Sequence, residues 1–185
     1  MVISLLGPSG IRCQVADFSL LVDPPTKKKG NLVLETEVDV SKKDLPEEAV
    51  VAGAGEYEIS GVRVRGINLG NGGGVLQTAY AVKFDDIRLG FLAGLKKAPN
   101  QNALDELGET DILFVNIESS VLPKKELVSL IKRIEPSILI APTDKGAKTL
   151  MEEFGQKVSR EEKLVIKAKD INREDKNKII WLKSE

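Results

Sequence analysis

Histidine is missing from all 185 residues. Imidazole is the side chain that titrates closest to neutral pH and a favoured ligand for transition metals, so chemistry built on it is excluded. The single cysteine, Cys13, rules out an intramolecular disulfide and suits a reducing compartment. Aromatics make up 4% of the chain, too few for a base-stacking surface. No apolar run approaches about 18 residues, so no membrane span is expected. Met1–Leu6 has neither the basic start nor the long apolar stretch of a signal peptide. Neither sign of charge is in excess: 27 basic side chains meet 28 acidic ones, a net charge of −1, and no field draws in nucleic acid. Together these absences predict a cytoplasmic protein that partners neither membrane nor nucleic acid.

What is present suits a globular chain. The hydrophobic fraction is 42% and the charged fraction 30%. The length fits one domain over residues 1–185, with enough apolar surface to bury a core. The first half reads as strands. Val2–Leu6, Ile11–Ala16 and Ser19–Val22 are apolar runs divided by Gly7-Pro8-Ser9-Gly10 and by Ala16-Asp17. Asn31–Glu35 is another strand, and Lys27-Lys28-Lys29 before it reads as a solvated loop. Ile59–Ile67 alternates with period 2, which predicts a half-buried strand. Thr78–Phe84 and Ile87–Leu92 flank Asp85-Asp86 as a hairpin.

The second half changes rhythm. Pro99–Leu107 is a short helix closed by Gly108. Asp111–Ile117 and Ser137–Ala141 are continuous apolar strands of the kind buried on both faces. Between them, Pro123–Ile134 places Leu127, Leu130, Ile131 and Ile134 on one helix face. Lys145–Phe154 is a helix ended by Gly155, and Leu164–Ala168 and Lys178–Leu182 close the chain as strands. Strands followed by strand–helix alternation predict an α/β layered domain with a mixed sheet.

Several stretches, in order along nearly the whole chain, resemble the metallo-β-lactamase fold superfamily. The branch most similar is that of zinc-dependent hydrolases like ascorbate-6-phosphate lactonase. The opening Val2-Ile-Ser-Leu-Leu-Gly-Pro-Ser-Gly resembles that branch's strand followed by Gly-His-Ser-Cys, and Leu21-Val-Asp-Pro24 its next strand and Asp-Pro. Gly55-Glu-Tyr-Glu58 resembles a Gly-Glu-Tyr-Glu hairpin, the most specific piece. Leu107-Gly-Glu-Thr-Asp-Ile-Leu113 and Glu135-Pro-Ser-Ile-Leu-Ile-Ala141 resemble later strands. The resemblance implies an αβ/βα sandwich, two facing mixed sheets with helices outside and an active-site cleft at one edge.

In that family zinc is held by a His-x-His-x-Asp-His loop, two later histidines and a bridging aspartate, and it polarises a carbonyl or supplies hydroxide. Carried onto this sequence, the loop positions read Glu37, Asp39, Ser41 and Lys42. The bridging aspartate is Gly94, the later histidines fall at or beside Ser120 and at Thr143, and the histidine of the opening motif is Pro8. A lysine repels zinc and a glycine bridges nothing. The resemblance therefore implies a zinc-free member with no catalytic residues assigned and no cofactor expected. A hard cation, Mg²⁺, Mn²⁺ or Ca²⁺, at Glu37 and Asp39 with Glu118 is the alternative, although two carboxylates beside a lysine make a poor cage.

Other features have local readings. Cys13 lies in an apolar strand as a small hydrophobe, with no histidine to activate it. Ser129-Leu-Ile-Lys132 matches Ser-x-x-Lys without its companion motifs. Gly70–Gly74 reads as a hairpin loop rather than a phosphate cradle, since a strand follows it. Glu56 and Glu58 share one strand face as part of a structural hairpin, and Lys96-Lys97 is solvated surface. Two functions follow. One is a non-catalytic protein that binds a small molecule or a protein through the former cleft, with a homo-oligomer open to it. The other is a hydrolase of small lactones, esters or phosphorylated compounds that uses another metal or none.

Overall fold

A computed structural model describes residues 1–25, 30–41, 50–92 and 94–184. Its first half forms a six-stranded sheet. β1 (Val2–Leu6), β2 (Gly10–Val15) and β3 (Phe18–Val22) run as an antiparallel meander, and β4 (Leu32–Glu35) and β6 (Val50–Ala52) continue it in parallel. β5 (Glu37–Asp39) leaves this sheet and pairs with the start of β9 (Val75–Phe84) in the other. The second sheet contains β7 (Gly55–Ile59), β8 (Val62–Gly72), β9 and β10 (Ile87–Leu92) as antiparallel hairpins. β11 (Ile112–Val115), β12 (Ile138–Ile140) and β15 (Lys178–Leu182) extend it in parallel from β10. Two-residue strands close the edges: β13 (Arg160–Glu161) on β15, and β14 (Leu164–Val165) on β1 of the first sheet.

The parallel strands need crossovers, and α2 (Lys124–Ile134) and α3 (Asp144–Phe154) supply them. α1 (Gln101–Leu107) precedes β11, with Asn100 Oδ1 accepting from the Ala103 amide at 2.9 Å as its N-cap. All three α-helices of the described residues cover the outer face of the second sheet. Leu127, Leu130, Ile131 and Leu150 pack there on Leu113, Val115 and Leu139. The main core lies between the sheets, where Ile3, Leu5, Cys13, Leu20 and Leu34 meet Val64, Tyr80, Phe91 and Phe114. β11 is buried on both faces, as its unbroken apolar run predicts.

Tyr80 fastens one sheet to the other. Its hydroxyl lies 2.9 Å from Glu35 O and 3.1 Å from Val51 O, and it accepts from the Gly53 amide at 3.1 Å. Burial pushes its pKa up to about 12, so it stays a neutral donor.

Three sequence expectations shift in detail. The strand expected over Ile59–Ile67 is broken by a turn at Ser60 and Gly61, with φ of 50° and 79°, so that Ile59 ends β7 opposite Val62. Ile59 and Val62 share a face three residues apart, so the turn shifts the phase and the Val62, Val64, Gly66 alternation belongs to β8 alone. The Gly70–Gly74 loop contracts to a turn at Gly73 and Gly74, since β8 continues to Gly72 and pairs with Val75. Glycine permits the φ of 65° and 83° there, which suits a tight hairpin. The strand expected over Leu164–Ala168 is paired only over Leu164–Val165, and Ala168 opens a 3₁₀ turn. Lys27-Lys28-Lys29 lies outside the described residues. No described helix is long and apolar enough to cross a membrane.

Candidate functional site

β3 and β4 of one sheet and β10 and β11 of the other end at the same edge of the sandwich, where chain leaving the carboxyl ends of strands frames a cleft. The cleft has a volume of about 330 Å³. Its floor is apolar: Phe91 and Phe114 stack at 4.8 Å with rings 8° apart, beside Ile11, Val22 and Leu92. Its polar rim is Ser9, Asp23, Thr36, Glu37, Asn116 and Ser119. Among the described residues, two carboxylates and no basic side chain line it.

Asp23 occupies the end of β3 with φ of 45°, a conformation Asp tolerates better than most residues. Its Oδ1 accepts from the Thr36 amide at 2.8 Å and its Oδ2 from the Thr36 hydroxyl at 2.5 Å, holding the β4–β5 link against β3. Burial pushes the Asp23 carboxyl up; the bonds from Thr36 offset this in part, and the charges of Glu37 and Glu35 add to it. Gln77, buried on β9, spans the cleft from behind. Its amide nitrogen donates to Glu37 Oε1 and to the Gly94 carbonyl, both at 2.7 Å.

Of the residues carried over from the family's zinc positions, Glu37 and Gly94 meet at the cleft, and the other described ones turn elsewhere. Glu37 lines the cleft, tied to Gln77. Asp39 lies two residues on, at the end of β5, where its Oδ1 accepts from the Ser41 amide at 3.0 Å and the Ser41 hydroxyl at 2.6 Å. Lys42 lies outside the described residues. Ser120 turns its hydroxyl onto Leu95 O at 3.0 Å; its neighbour Ser119 lines the cleft instead. Thr143 caps α3, accepting from the Gly146 amide at 3.0 Å. Glu118 points to Lys145, at 3.5 Å. Gly94 is closed off: a Cβ there would lie 2.0 Å from Ser119 Oγ and 2.6 Å from Ser119 O, so the chain at Ser119 fills the space of a bridging side chain. Among the described residues no three of His, Cys, Asp and Glu are grouped to hold a metal ion. The donor set does not fit zinc, which takes nitrogen, sulfur or carboxylate ligands in a tight tetrahedron.

Other features flagged by the sequence sit apart from the cleft. Cys13 is fully buried between the sheets, and burial pushes its thiol up, away from the reactive thiolate. Ser129 and Lys132 are on the exposed face of α2, Lys132 over the Phe154 ring at 5.7 Å. Glu56 pairs with Arg65 at 2.8 Å and Glu58 with Arg63 at 3.4 Å, each directly across the β7–β8 ladder, so these carboxylates brace a hairpin. Sequence reasoning missed Asp23, Thr36 and Gln77 as site residues, while Ser119 falls beside the position expected at Ser120. Asp23 had a signal, the Asp-Pro that stops β3; Gln77 had none, because its partners are 40 and 17 residues away.

Comparison with known proteins agrees with this architecture. A family model described as the β-lactamase superfamily domain matches residues 2–143. No curated protein matches by sequence. A Thermotoga maritima protein described as a candidate zinc-dependent hydrolase of the metallo-β-lactamase superfamily aligns over 100% of this chain and 99% of its own, with a TM-score of 0.72 and 15% identity. Igni18, a metallo hydrolase from Ignicoccus hospitalis, covers 90% and 99% at a TM-score of 0.62 and 11% identity. The metallo-β-lactamase fold protein YhfI of Bacillus subtilis covers 76% and 84% at 0.57 and 11%. At these identities the likeness is one of fold, and the finer likeness to the lactonase-like branch rests on the quoted motifs alone. The two facing mixed sheets, the edge cleft and the match over most of its length place this chain in the metallo-β-lactamase superfamily.

Proposed function

We propose that the chain is a zinc-free, non-catalytic member of its superfamily that binds a small neutral or cationic molecule in the edge cleft. The observation that carries this reading is the closure at Gly94: the chain at Ser119 stands where a bridging ligand's side chain would begin. A cleft that had merely lost its donors would keep that space. The cleft still offers a stacked aromatic floor, hydroxyls and an amide on the rim, and carboxylates from Asp23 and Glu37. The charges that the described residues bring to the lining are those of Asp23 and Glu37, which would repel an anionic substrate and attract an ammonium group. A cytoplasmic setting fits the lone buried thiol.

The competing reading is a hydrolase that uses these carboxylates with another metal or none; the description of two structural neighbours as hydrolases favours it. Thermal melting of metal-free protein against small amines, neutral polyols, carboxylates and phosphate esters separates the two. Binding predicts a saturable rise in Tm with at least one amine or polyol. For a cationic ligand, Glu37→Gln keeps a partner for Gln77, removes the charge and weakens the affinity about tenfold. Turnover of lactones or phosphate esters that Glu37→Gln abolishes would overturn the proposal, and so would a panel that produces no shift at all.

A further inference from the structure

A second cavity, of about 580 Å³, lies on the outer face of the first sheet, on the opposite side of β1 and β2 from the interior core. Strand alternation builds it: Ile3 and Leu5 point inward, so Val2 and Ser4 point out, and the ladder sets Ser4 directly opposite Arg12 and Val2 opposite Gln14. The chain end completes it. Ser184 pairs beside β1 at the sheet edge, bridging to Leu5 and donating from its hydroxyl to Gly7 O, while Glu162 and Lys163 come from the turn before β14. Among the described residues, the charged groups lining it are Arg12, Lys163, Lys183 and the Glu162 carboxylate, which lies 3.9 Å from Lys183.

Ser4 makes this cavity more than a basic patch. It is 3% exposed, its Oγ is out of contact with water, and it has no hydrogen-bond partner. An unpaired hydroxyl in a buried strand is destabilising, so a strand otherwise reading Val-Ile-x-Leu-Leu would be more stable with an apolar residue there. We propose that this cavity binds an oxyanion of the phosphate type, the Ser4 hydroxyl donating to it and Lys163 and Lys183 neutralising it. The site is separate from the cleft, which repels anions, and stands whether or not the cleft binds a cation.

The test is thermal melting of the full chain in inorganic phosphate, with chloride and acetate at matched ionic strength. The expected result is a saturable Tm rise specific to phosphate, its affinity weakened about tenfold by Lys163→Ala combined with Lys183→Ala. Ser4→Ala is the decisive variant. A merely structural Ser4 would be replaced without change in phosphate response, whereas a ligating one loses the response while the ligand-free Tm holds or rises. An unsaturable response equal in wild type and variants would mean an adventitious ion only and overturn the proposal. An equal response to acetate, or a phosphate response abolished by Glu37→Gln, would overturn it as well.

Discussion

Asp111 holds the most heavily bonded carboxylate in the molecule's described part. It is buried at the start of β11, and it accepts from the Arg88 amide at 2.9 Å, from Arg88 Nη2 at 2.7 Å and from Arg173 Nε at 2.9 Å. Burial by itself would raise its pKa, but the bonds from Arg88 and Arg173 outweigh burial and hold it at about 2. A carboxyl depressed in the fold contributes stability that is complete above its unfolded value near 3.8 and is lost as pH falls through about 2. Asp111→Asn should therefore destabilise the chain by about 3 kcal/mol at neutral pH, the low end for breaking a buried pair because both arginines reach solvent. Urea midpoints should also converge between wild type and variant as pH is lowered from 3.8 towards 2. An equal gap at every pH would contradict this assignment. Cys13 makes the complementary prediction: a thiol reagent should label native protein only as fast as the sandwich opens, since the sulfur is fully buried and its ionisation suppressed. The role of Asp111 was not legible in the sequence, which showed only a strand boundary, because Arg88 and Arg173 are 23 and 62 residues distant.

Elements were legible where their signals are local. The Asp85-Asp86 hairpin is present with φ of 53° and 57°, as a tight turn demands, and Gly108 and Gly155 close their helices. α2 keeps its apolar stripe. β5 was not legible as a strand. Its Glu37-Val38-Asp39 alternation is three residues long, and its pairing to Val75–Gln77 is set by tertiary structure. The junction of β7 and β8 with the first sheet depends on Gly66, where a Cβ would stand 2.3 Å from Gly53 O, a backbone atom with no rotamer to yield. Gly66→Ala should lower stability by about 3 kcal/mol, the upper end for overpacking, seen as a reduced Tm with a loosened strand edge in hydrogen exchange. An unchanged Tm would mean that Gly53 moves freely. Tyr80→Phe tests the neighbouring fastening between sheets: it should cost about 1–3 kcal/mol by leaving the Gly53 amide and two carbonyls short of a partner.

At the scale of the whole molecule, the superfamily's fold is present, and the proposed loss of its zinc chemistry rests on the packing around the cleft. The apolar pattern that builds two sheets survives along the chain, and so does the cleft where their strands end. The side chains that would gather zinc there are instead bonded to Gln77, to Ser41, to Leu95 and to the start of α3, and Gly94 is walled in by Ser119. Sequence alone could list the replacements; only packing shows that the space itself has closed. The most direct test is the metal content of full-length protein purified after growth with added zinc and without chelator. The account predicts zinc well below one equivalent per chain, unchanged by Glu37→Ala with Asp39→Ala. One or two zinc ions per chain, released by that pair of substitutions, would contradict it.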